Sequence, residues 1–392
     1  MRSLTSGIPL ISAGLLTVGL LVPAGTAPAA ATPAAGAEVC AGVPAPKLRA
    51  VRPDSRLNGM FTSYGNGNRR LDDWTGADGT YSVRLSDGRD LWIYSDTFLG
   101  RVNEDGTRPP TVDDGGTTPF VNNSFIVQKG RRLTTEHGGT VKNPTALLPP
   151  PDKNHWYWAG DGTTAGDKVE VTYQEYERFG PGAWDWRWSR NVVARFSQKR
   201  LSKPLSVTPL PSGRQIAWAS ALRRVGGFTY IYGVEDHDAT KYMHIARVRG
   251  ESLLGTWEYY AGNGTWSASE QDSARVMDGV ANEYSVSRHG RVYVLVTHDT
   301  TQRLGAEIVT YYSCTPYGPF VDKTHVYTTP ETGAYGSYHN ANVFTYNAHA
   351  HPEIAGPDGD LVVSYNVNSF EPKDLYADAG IYRARFLDLS FN

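Results

Sequence analysis

The chain has 392 residues and a formal net charge of −2, and charged residues make up 20% of it. This balance excludes a basic footprint for nucleic acid and a polybasic patch for a membrane surface. The chain also contains 10 Trp, 23 Tyr and 41 Gly, which is typical of a β protein rich in turns.

The first element along the chain is an export segment. Met1 and Arg2 precede an apolar run over residues 8–22, and an Ala/Pro-rich tract follows. The run is too short and too interrupted by Ser and Gly to span a bilayer, so residues 1–37 are predicted to be a secretory signal peptide with its export tract. We expect a secreted, extracellular protein without a membrane anchor, in which residues 47–392 form one domain.

The first strong strand pattern is a hairpin over residues 77–98, which turns at Asp87-Gly88. Folding the hairpin about this turn places Asp78 opposite Thr97, one residue from Asp96. Two carboxylates that are distant in sequence are therefore predicted to be neighbours at the open end of the hairpin.

Similar units recur along the chain. A weaker copy combines residues 122–127 with 155–161, and clearer copies cover residues 222–236, 279–300 and 349–368. Counting eight residues from the turn glycine reaches Asp96, Glu235 and His298, and counting seven reaches Asn366. Five such units predict an all-β, five-bladed β-propeller with polar side chains gathered on one face. The last strand, within residues 380–389, would need an N-terminal strand beside it to close the ring.

The unit at residues 279–300 adds a third carboxyl group. Glu283 stands where its first strand begins, opposite Val296 if the turn is centred on His289-Gly290. Asp78, Asp96 and Glu283 are thus the candidate catalytic residues, since glycoside hydrolysis uses a pair of carboxyl groups as acid and as base or nucleophile. The alternatives are that Asp78 is only a turn residue, that Asp96 caps a turn, and that Glu283 is a paired structural group.

Polar and aromatic side chains on the same face are candidates for binding a polysaccharide, because the C–H faces of sugars stack on aromatic rings. The alternative is that most of these rings pack inside the sheets. The predicted substrate-binding residues are Asn123, Trp158, Asp161, Glu235, His298, His351 and Asn366.

The sequence contains no spaced His/Cys cluster, no Gly-rich phosphate loop and no Gly-x-Ser-x-Gly motif. We therefore expect no cofactor, while a structural cation in the central channel stays open and no metal ligand is assigned. Cys40 and Cys314 are compatible with one disulfide in an oxidising compartment, or with two unrelated thiols. The expected partner is a polysaccharide, with no nucleic acid and no second subunit.

At residues 60–390 the chain resembles a known clan. An Asp at the first inner strand, a Glu at a later one and His351-Pro352 near the last blade are similar to the five-bladed propeller glycoside hydrolases, which include arabinanases, arabinofuranosidases and xylosidases. The phrases DLWIYSDTF, YIYGVED, ANEYSV and HAHPE more closely resemble secreted actinobacterial proteins of unknown function that are similar to endo-D-arabinanases.

The resemblance implies roles for individual residues. Asp78 would be the general base or nucleophile, Asp96 its carboxylate partner, Glu283 the general acid or a third carboxylate, and His351 the histidine of the central channel. The predicted function is a secreted glycoside hydrolase that cleaves a furanose-containing polysaccharide, with an arabinan as the expected substrate. The alternatives are a non-catalytic carbohydrate-binding propeller and a propeller lyase, which would need a basic rim.

Overall fold

A computed structural model describes Cys40 and residues 42–67, 70–182 and 185–392. The predicted signal peptide, residues 1–37, lies outside the described residues. Within them, nearly all regular structure is antiparallel β-sheet, arranged as five blades around a central channel. The predicted five-bladed β-propeller is confirmed.

Each blade begins with an inner strand that lines the channel. In chain order, the inner strands of blades 1 to 5 are Tyr81–Arg84, His155–Ala165, Ile216–Val225, Tyr284–His289 and Val343–Ala355. Each contacts the next, and the inner strand of blade 5 contacts that of blade 1. The ring is therefore closed.

The remaining strands of each blade follow outward in chain order, with one exception in blade 5. Blade 1 continues with Asp90–Tyr94, Ser124–Lys129 and Arg132–Glu136, and blade 2 with Lys168–Arg178, Trp186–Ser197 and Ser206–Pro209. Blade 3 continues with Phe228–His237, Thr240–Arg249, Trp257–Gly262 and Thr265–Ser267, and Met277–Asp278 pairs with its third strand. Blade 4 continues with Val292–His298, Glu307–Ser313 and Val321–Thr328, and blade 5 with Leu361–Ser369, Ala384–Phe391 and Leu48–Pro53.

The exception closes the propeller. Leu48–Pro53, the first strand of the chain, pairs with Ala384–Phe391, the last one, and becomes the outermost strand of blade 5. This is the N-terminal strand that closure required. A disulfide between Cys40 and Cys314 then ties the segment before the first strand to blade 4.

Smaller elements surround blade 1. Trp74–Ala77, Thr97–Leu99 and Phe120–Val121 form a three-stranded sheet at its open end, and Gly138–Thr140 pairs with Asn143–Thr145. The helices are Ser55–Asn66 and Pro372–Ala377, with short 3₁₀ turns at Glu270–Asp272 and Pro357–Gly359. No helix among the described residues is long and apolar enough to cross a membrane.

Helix Ser55–Asn66 begins at Asp54, whose Oδ1 accepts a hydrogen bond from the Leu57 N–H at 2.9 Å. Its buried face packs Phe61 against Trp92 and Phe386, with ring centroids 5.3 and 5.2 Å away. Each such buried ring contributes roughly 1.5–3 kcal/mol through the hydrophobic effect. The helix thereby joins blade 1 to blade 5.

Two details differ from the sequence prediction. Residues 122–127 do not belong to the same unit as residues 155–161, since Ser124–Lys129 is the third strand of blade 1 and His155–Ala165 is the inner strand of blade 2. The two registers are also shifted. Ala77, not Asp78, faces Thr97, and Ser285, not Glu283, faces Val296, because the turns are centred on Asp87 and on Gly290-Arg291.

Candidate active site

Asp78 and Glu283 lie at the same end of the central channel. Asp78 comes shortly before the inner strand of blade 1, and Glu283 directly before that of blade 4. Gly79, with φ of +61°, lets the chain bend between Asp78 and the strand, and an added Cβ there would lie 2.7 Å from Ser95 Oγ. The bend leaves the Asp78 side chain at the channel mouth.

Phenol groups surround the Asp78 carboxyl. The Tyr346 hydroxyl, from the inner strand of blade 5, donates to Asp78 Oδ2 at 2.6 Å, and Asn368 Nδ2 donates to the Tyr346 oxygen at 3.3 Å. Burial raises the pKa of Asp78, and hydrogen bonds from Tyr346 and Tyr382 oppose that rise. Asp78 Oδ1 is buried and has no hydrogen-bond partner among the described residues, so one oxygen remains for a ligand.

Asp96 lies beside Asp78, since the Asp78 N–H donates to the Asp96 carbonyl at 3.1 Å. Asn122 Nδ2 and Trp158 Nε1 both donate to Asp96 Oδ1 at 2.9 Å. Burial, and then the charge of Asp78, raise the pKa of Asp96 to about 7. The two carboxyl groups therefore titrate as a pair and resist being ionised together.

Glu283, like the two aspartates, is strongly desolvated. Burial, followed by the negative charge of Asp78, raises its pKa well above the usual 4.5, against a hydrogen bond from Tyr81. The preceding segment is fixed on both sides, because Ser220 Oγ donates to the Asn282 carbonyl at 2.8 Å and the Ala281 N–H donates to Thr297 Oγ1 at 2.9 Å. Burial of this kind favours the protonated form of the carboxyl group.

An aromatic cluster of Trp156, Trp158, Tyr176 and Trp186 stands beside the acids on blade 2. All four side chains are half-buried, and Trp158 packs on Tyr176 and Trp186 with ring centroids 4.5 and 5.6 Å apart. Trp158 joins the cluster to Asp96 through its indole N–H. Burial, and then the charges of Asp236 and Glu283, raise the pKa of Tyr176, so the cluster extends to the third acid as well.

Sequence reasoning missed the tyrosines Tyr81, Tyr346 and Tyr382. The sequence signal for Tyr346 was the Asn347 that follows it, because Asn is a residue type that adopts positive φ, as Asn347 does at +58° and as Gly79 does after Asp78. Tyr382 had none, since it lies in a turn between strands and reaches Asp78 only after the ring has closed.

Two predicted substrate-binding residues, Asn123 and Asn366, are fully buried between blades. Asn123 donates to the Leu148 and Tyr157 carbonyls and accepts from the Leu148 N–H, which links blades 1 and 2. Asn366 Nδ2 donates to Thr80 Oγ1 at 3.0 Å, which links blades 5 and 1. Their amides therefore fix the chain near the site.

Asp161 and His298 also bind backbone of a neighbouring blade. Asp161 Oδ2 accepts from the Leu222 N–H at 2.6 Å, and burial raises its pKa well above 3.8. His298 Nδ1 accepts from the Ala348 N–H at 3.1 Å, and burial lowers its pKa to about 3. Neutral His298 thus has a fixed acceptor nitrogen, while its Nε2 has no partner among the described groups.

Glu235 lies near the same end of the channel, in an ion cluster. Arg275 binds it through two nitrogens at 2.7 and 2.8 Å, and His244 and His237 each contact it at 3.0 Å. These bonds, led by that from Arg275, hold the pKa of Glu235 far below its usual value. The next residue, Asp236, lies nearer to the three acids, because its Oδ2 accepts a hydrogen bond at 2.9 Å from the side chain of Asn282, the residue before Glu283.

His351 is completely buried inside the channel and is hydrogen-bonded through both ring nitrogens, to Ser82 at 2.6 Å and to Ser364 at 2.8 Å. Neither nitrogen is free for a sugar or a cation in this arrangement. In the described part of the chain, no three His, Cys, Asp or Glu side chains are grouped as metal ligands. A cation in the channel stays a prediction.

Comparisons with known proteins agree with the architecture. The sequence model of a family described as "Domain of unknown function (DUF5005)" matches residues 59–391. No curated protein matches the chain.

Among solved structures, a "putative hydrolase" from Bacteroides ovatus ATCC 8483 superposes with a TM-score of 0.70 at 22% identity, covering 86% of this chain and 90% of its own. This likeness supports the fold. A GH43_1 enzyme from Xanthomonas citri complexed with xylotriose gives a TM-score of 0.44 at 13% identity, covering 86% and 93%. The catalytic domain of a Coprinopsis cinerea GH62 α-L-arabinofuranosidase gives 0.45 at 10%, covering 82% and 92%.

Proposed function

The chain belongs to the family described as domain of unknown function DUF5005, and we propose that it is a glycoside hydrolase that uses Asp78, Asp96 and Glu283. One observation carries the proposal. At one end of the channel, hydrogen bonds from phenol groups favour the ionised form of Asp78, while burial and the charge of Asp78 favour the protonated form of Glu283. Carboxyl groups whose environments separate their pKa values are the pattern of acid and base pairs.

In this proposal, the Glu283 carboxyl donates its proton to the glycosidic oxygen while the bond to the anomeric carbon breaks. Ionised Asp78, through its free Oδ1, either removes a proton from the attacking water or attacks the anomeric carbon itself. The Tyr346 hydroxyl stabilises the Asp78 charge at 2.6 Å. Asp96 adds a second carboxyl beside the developing positive charge of the sugar ring.

The proposed substrate is a furanose-containing polysaccharide, and specifically an arabinan. Support comes from the resemblance of DLWIYSDTF and ANEYSV to proteins similar to endo-D-arabinanases, and from the aromatic cluster beside the acids. Half-buried indole and phenol rings offer flat apolar faces for successive sugars. The same cluster would serve a binding protein, so catalysis needs its own test.

We further propose that the protein acts outside the cell and that it is a monomer. Light scattering tests the oligomeric state. The Cys40–Cys314 disulfide supports export, because such bonds persist in oxidising compartments. The proposed reaction uses carboxyl groups and water, so dialysis against a chelator is expected to leave activity unchanged.

The test is product release from a panel of arabinans, D-arabinan included, by wild type and by the variants Asp78→Asn and Glu283→Gln. Each variant is expected to lose about 10²–10⁴-fold in kcat, the usual contribution of a general acid or base. Asp299→Asn is the matched control, because Asp299 follows a strand of blade 4 at the same end and pairs with Lys323 at 2.9 Å. Melting curves establish that all variants fold.

Retained cleavage by folded Asp78→Asn or Glu283→Gln would refute the assignment of roles. No cleavage by wild type, combined with binding to one glycan, would instead favour the non-catalytic carbohydrate-binding propeller.

A further inference from the structure

A cavity of about 370 Å³, separate from the candidate active site, lies between helix Ser55–Asn66 and blade 5. Polar residues line the helix side at a spacing of four, which puts them on one helix face. Two arginines and a tyrosine lie opposite. The lining residues that matter here are Asn58, Thr62, Asn66, Tyr338, Arg383 and Arg385.

Arg383 is buried, with only 4% of its surface exposed. Its Nε donates to the Thr75 carbonyl at 2.7 Å, whereas Nη2 is buried and finds no acceptor among the described residues. No carboxylate in the described ranges lies within ion-pair distance of Arg383. The charge of Arg385 and, above all, burial lower the pKa of Arg383 to about 10.

A second buried arginine increases the imbalance. Arg108, 3% exposed, binds Thr75 Oγ1 at 3.0 Å and the Ala379 carbonyl at 2.8 Å, and it likewise has no ion pair within the described chain. Burial, and then the charge of Arg383, lower its pKa to about 9. Thr75 therefore stands between two guanidinium groups that repel each other.

The acidic groups nearby do not neutralise this charge. Glu331 pairs with Arg385, with 3.3 Å between Nε and Oε1. Asp378 lines the cavity but is exposed, and its Oδ1 accepts from the Gly380 N–H at 2.7 Å. Arg108, Arg383 and Arg385 thus face two carboxylates, which leaves about one positive charge. A buried charge without a carboxylate partner is unfavourable, and arginine cannot lose its proton to avoid that cost. The ring contacts of Arg383 with Trp74 at 5.9 Å and of Arg108 with Phe98 at 4.4 Å do not remove the net charge.

The helix holds Arg383 in this position. Gly65 lies so close that an added Cβ would be 2.7 Å from Nη2, so the helix backbone covers the guanidinium on that side. Arg383 is at the same time one of the residues that line the cavity. The preceding residue, Tyr382, interacts with Asp78, so the cavity and the candidate active site adjoin the same segment of chain.

We propose that this cavity is an anion site, in which the excess positive charge of Arg383 and Arg385 holds a small oxyanion, either a phosphate or a carboxylate group. Arg385 already donates to the Tyr338 hydroxyl at 2.7 Å and to the Gly380 and Arg383 carbonyls at 3.0 and 3.1 Å, so it offers the anion only the N–H that these bonds leave. Guanidinium groups match the paired oxygens of both. Thr62 and Asn66 supply further donors from the helix, and Tyr338 from the opposite wall. The site needs no glycan and stands whether or not the chain is a hydrolase.

The test is calorimetric titration of the full chain with inorganic phosphate and, separately, with acetate, at constant ionic strength in chloride. Saturable binding of either anion is expected, and the stronger arm identifies the preferred class. At 100-fold above Kd, the same anion is expected to raise Tm by roughly 3–6 °C.

Two variants locate the binding. Arg383→Met removes the guanidinium, and Thr62→Glu places a carboxylate in the cavity from an exposed helix position; each is expected to weaken binding at least tenfold. Ser63→Glu is the matched control, with the same added charge on the adjacent exposed residue outside the cavity, and it is expected to bind like wild type. If Arg383→Met fails to fold, Thr62→Glu decides. Lack of saturable binding of both anions by wild type, or unchanged binding by Thr62→Glu, would overturn the proposal.

Discussion

Replacing Tyr346 by Phe tests how the protein keeps Asp78 ionised. The substitution removes one hydroxyl, which donates to Asp78 Oδ2 at 2.6 Å, and keeps the ring. A hydrogen bond to a charged group contributes about 1.5–3 kcal/mol. Since 1.36 kcal/mol corresponds to one pKa unit, the pKa of Asp78 should rise by about 1–2 units.

The assay is the pH dependence of kcat/KM on the glycan that the wild type cleaves. Ionised Asp78 is the required form in the proposed mechanism, so the acid limb of the profile should move to higher pH by the same 1–2 units. Below that limb the variant should be about 10–100-fold slower, and above it nearly as fast as wild type. Titration of ¹³C-labelled aspartate carboxyl groups by NMR should show the same shift without substrate.

The control is Tyr335→Phe, because Tyr335 is fully exposed and its loss should leave the profile unchanged. An acid limb that stays in place in folded Tyr346→Phe would show that this hydroxyl does not set the ionisation of Asp78. A uniform loss of rate at every pH would point to substrate positioning instead.

Three further predictions concern other parts of the molecule. Burial lowers the pKa of His298 to about 3, so the neutral side chain contributes stability that is present above pH 6.5 and lost as pH falls toward 3. In urea unfolding, His298→Asn should weaken this dependence of the unfolding free energy on pH. An unchanged pH dependence would contradict the reasoning. The Cys40–Cys314 disulfide closes a loop of 274 residues, so the double Ser variant should lose up to about 5 kcal/mol in guanidinium unfolding, while equal stability would mean that the bond adds nothing. Trp186→Ala removes a ring packed on Trp158 and should raise KM for polymeric arabinan roughly tenfold. The kcat/KM for a small aryl glycoside, which does not reach the cluster, should be unchanged. Equal effects on both substrates would place Trp186 at the reacting sugar.

The blade count followed from the sequence because turn signals such as Gly226-Gly227 fix hairpins locally. The predicted turn there is the observed one, with Val225 facing Phe228. Registers were harder, since a five-residue turn around Asp87 and a two-residue turn after His289 shift the pairing by one and two residues. Turn length depends on backbone geometry that residue types specify only loosely.

The acids of the candidate site could be selected as carboxyl groups at strand ends, but their surroundings could not. Tyr346 and Asp78 are 268 residues apart and meet only because blade 5 closes on blade 1. Asn366 looked like a rim group by spacing, yet it is completely buried. Spacing from a turn predicts the position of a residue along its strand. It does not predict whether a neighbouring blade buries that residue.

The pairing of the first strand with the last has a consequence for biosynthesis. Leu48–Pro53 is made early, but the strand that pairs with it, Ala384–Phe391, follows some 330 residues later. At 5–20 residues per second, this strand waits roughly 15–70 s with its edge unpaired. It carries exposed Arg49 and Arg52 and ends in Pro53, the kinds of residues that keep a free strand edge from joining other chains. The residues Arg49, Arg52 and Pro53 thus protect the nascent protein against aggregation while the Leu48–Pro53 strand is still unpaired.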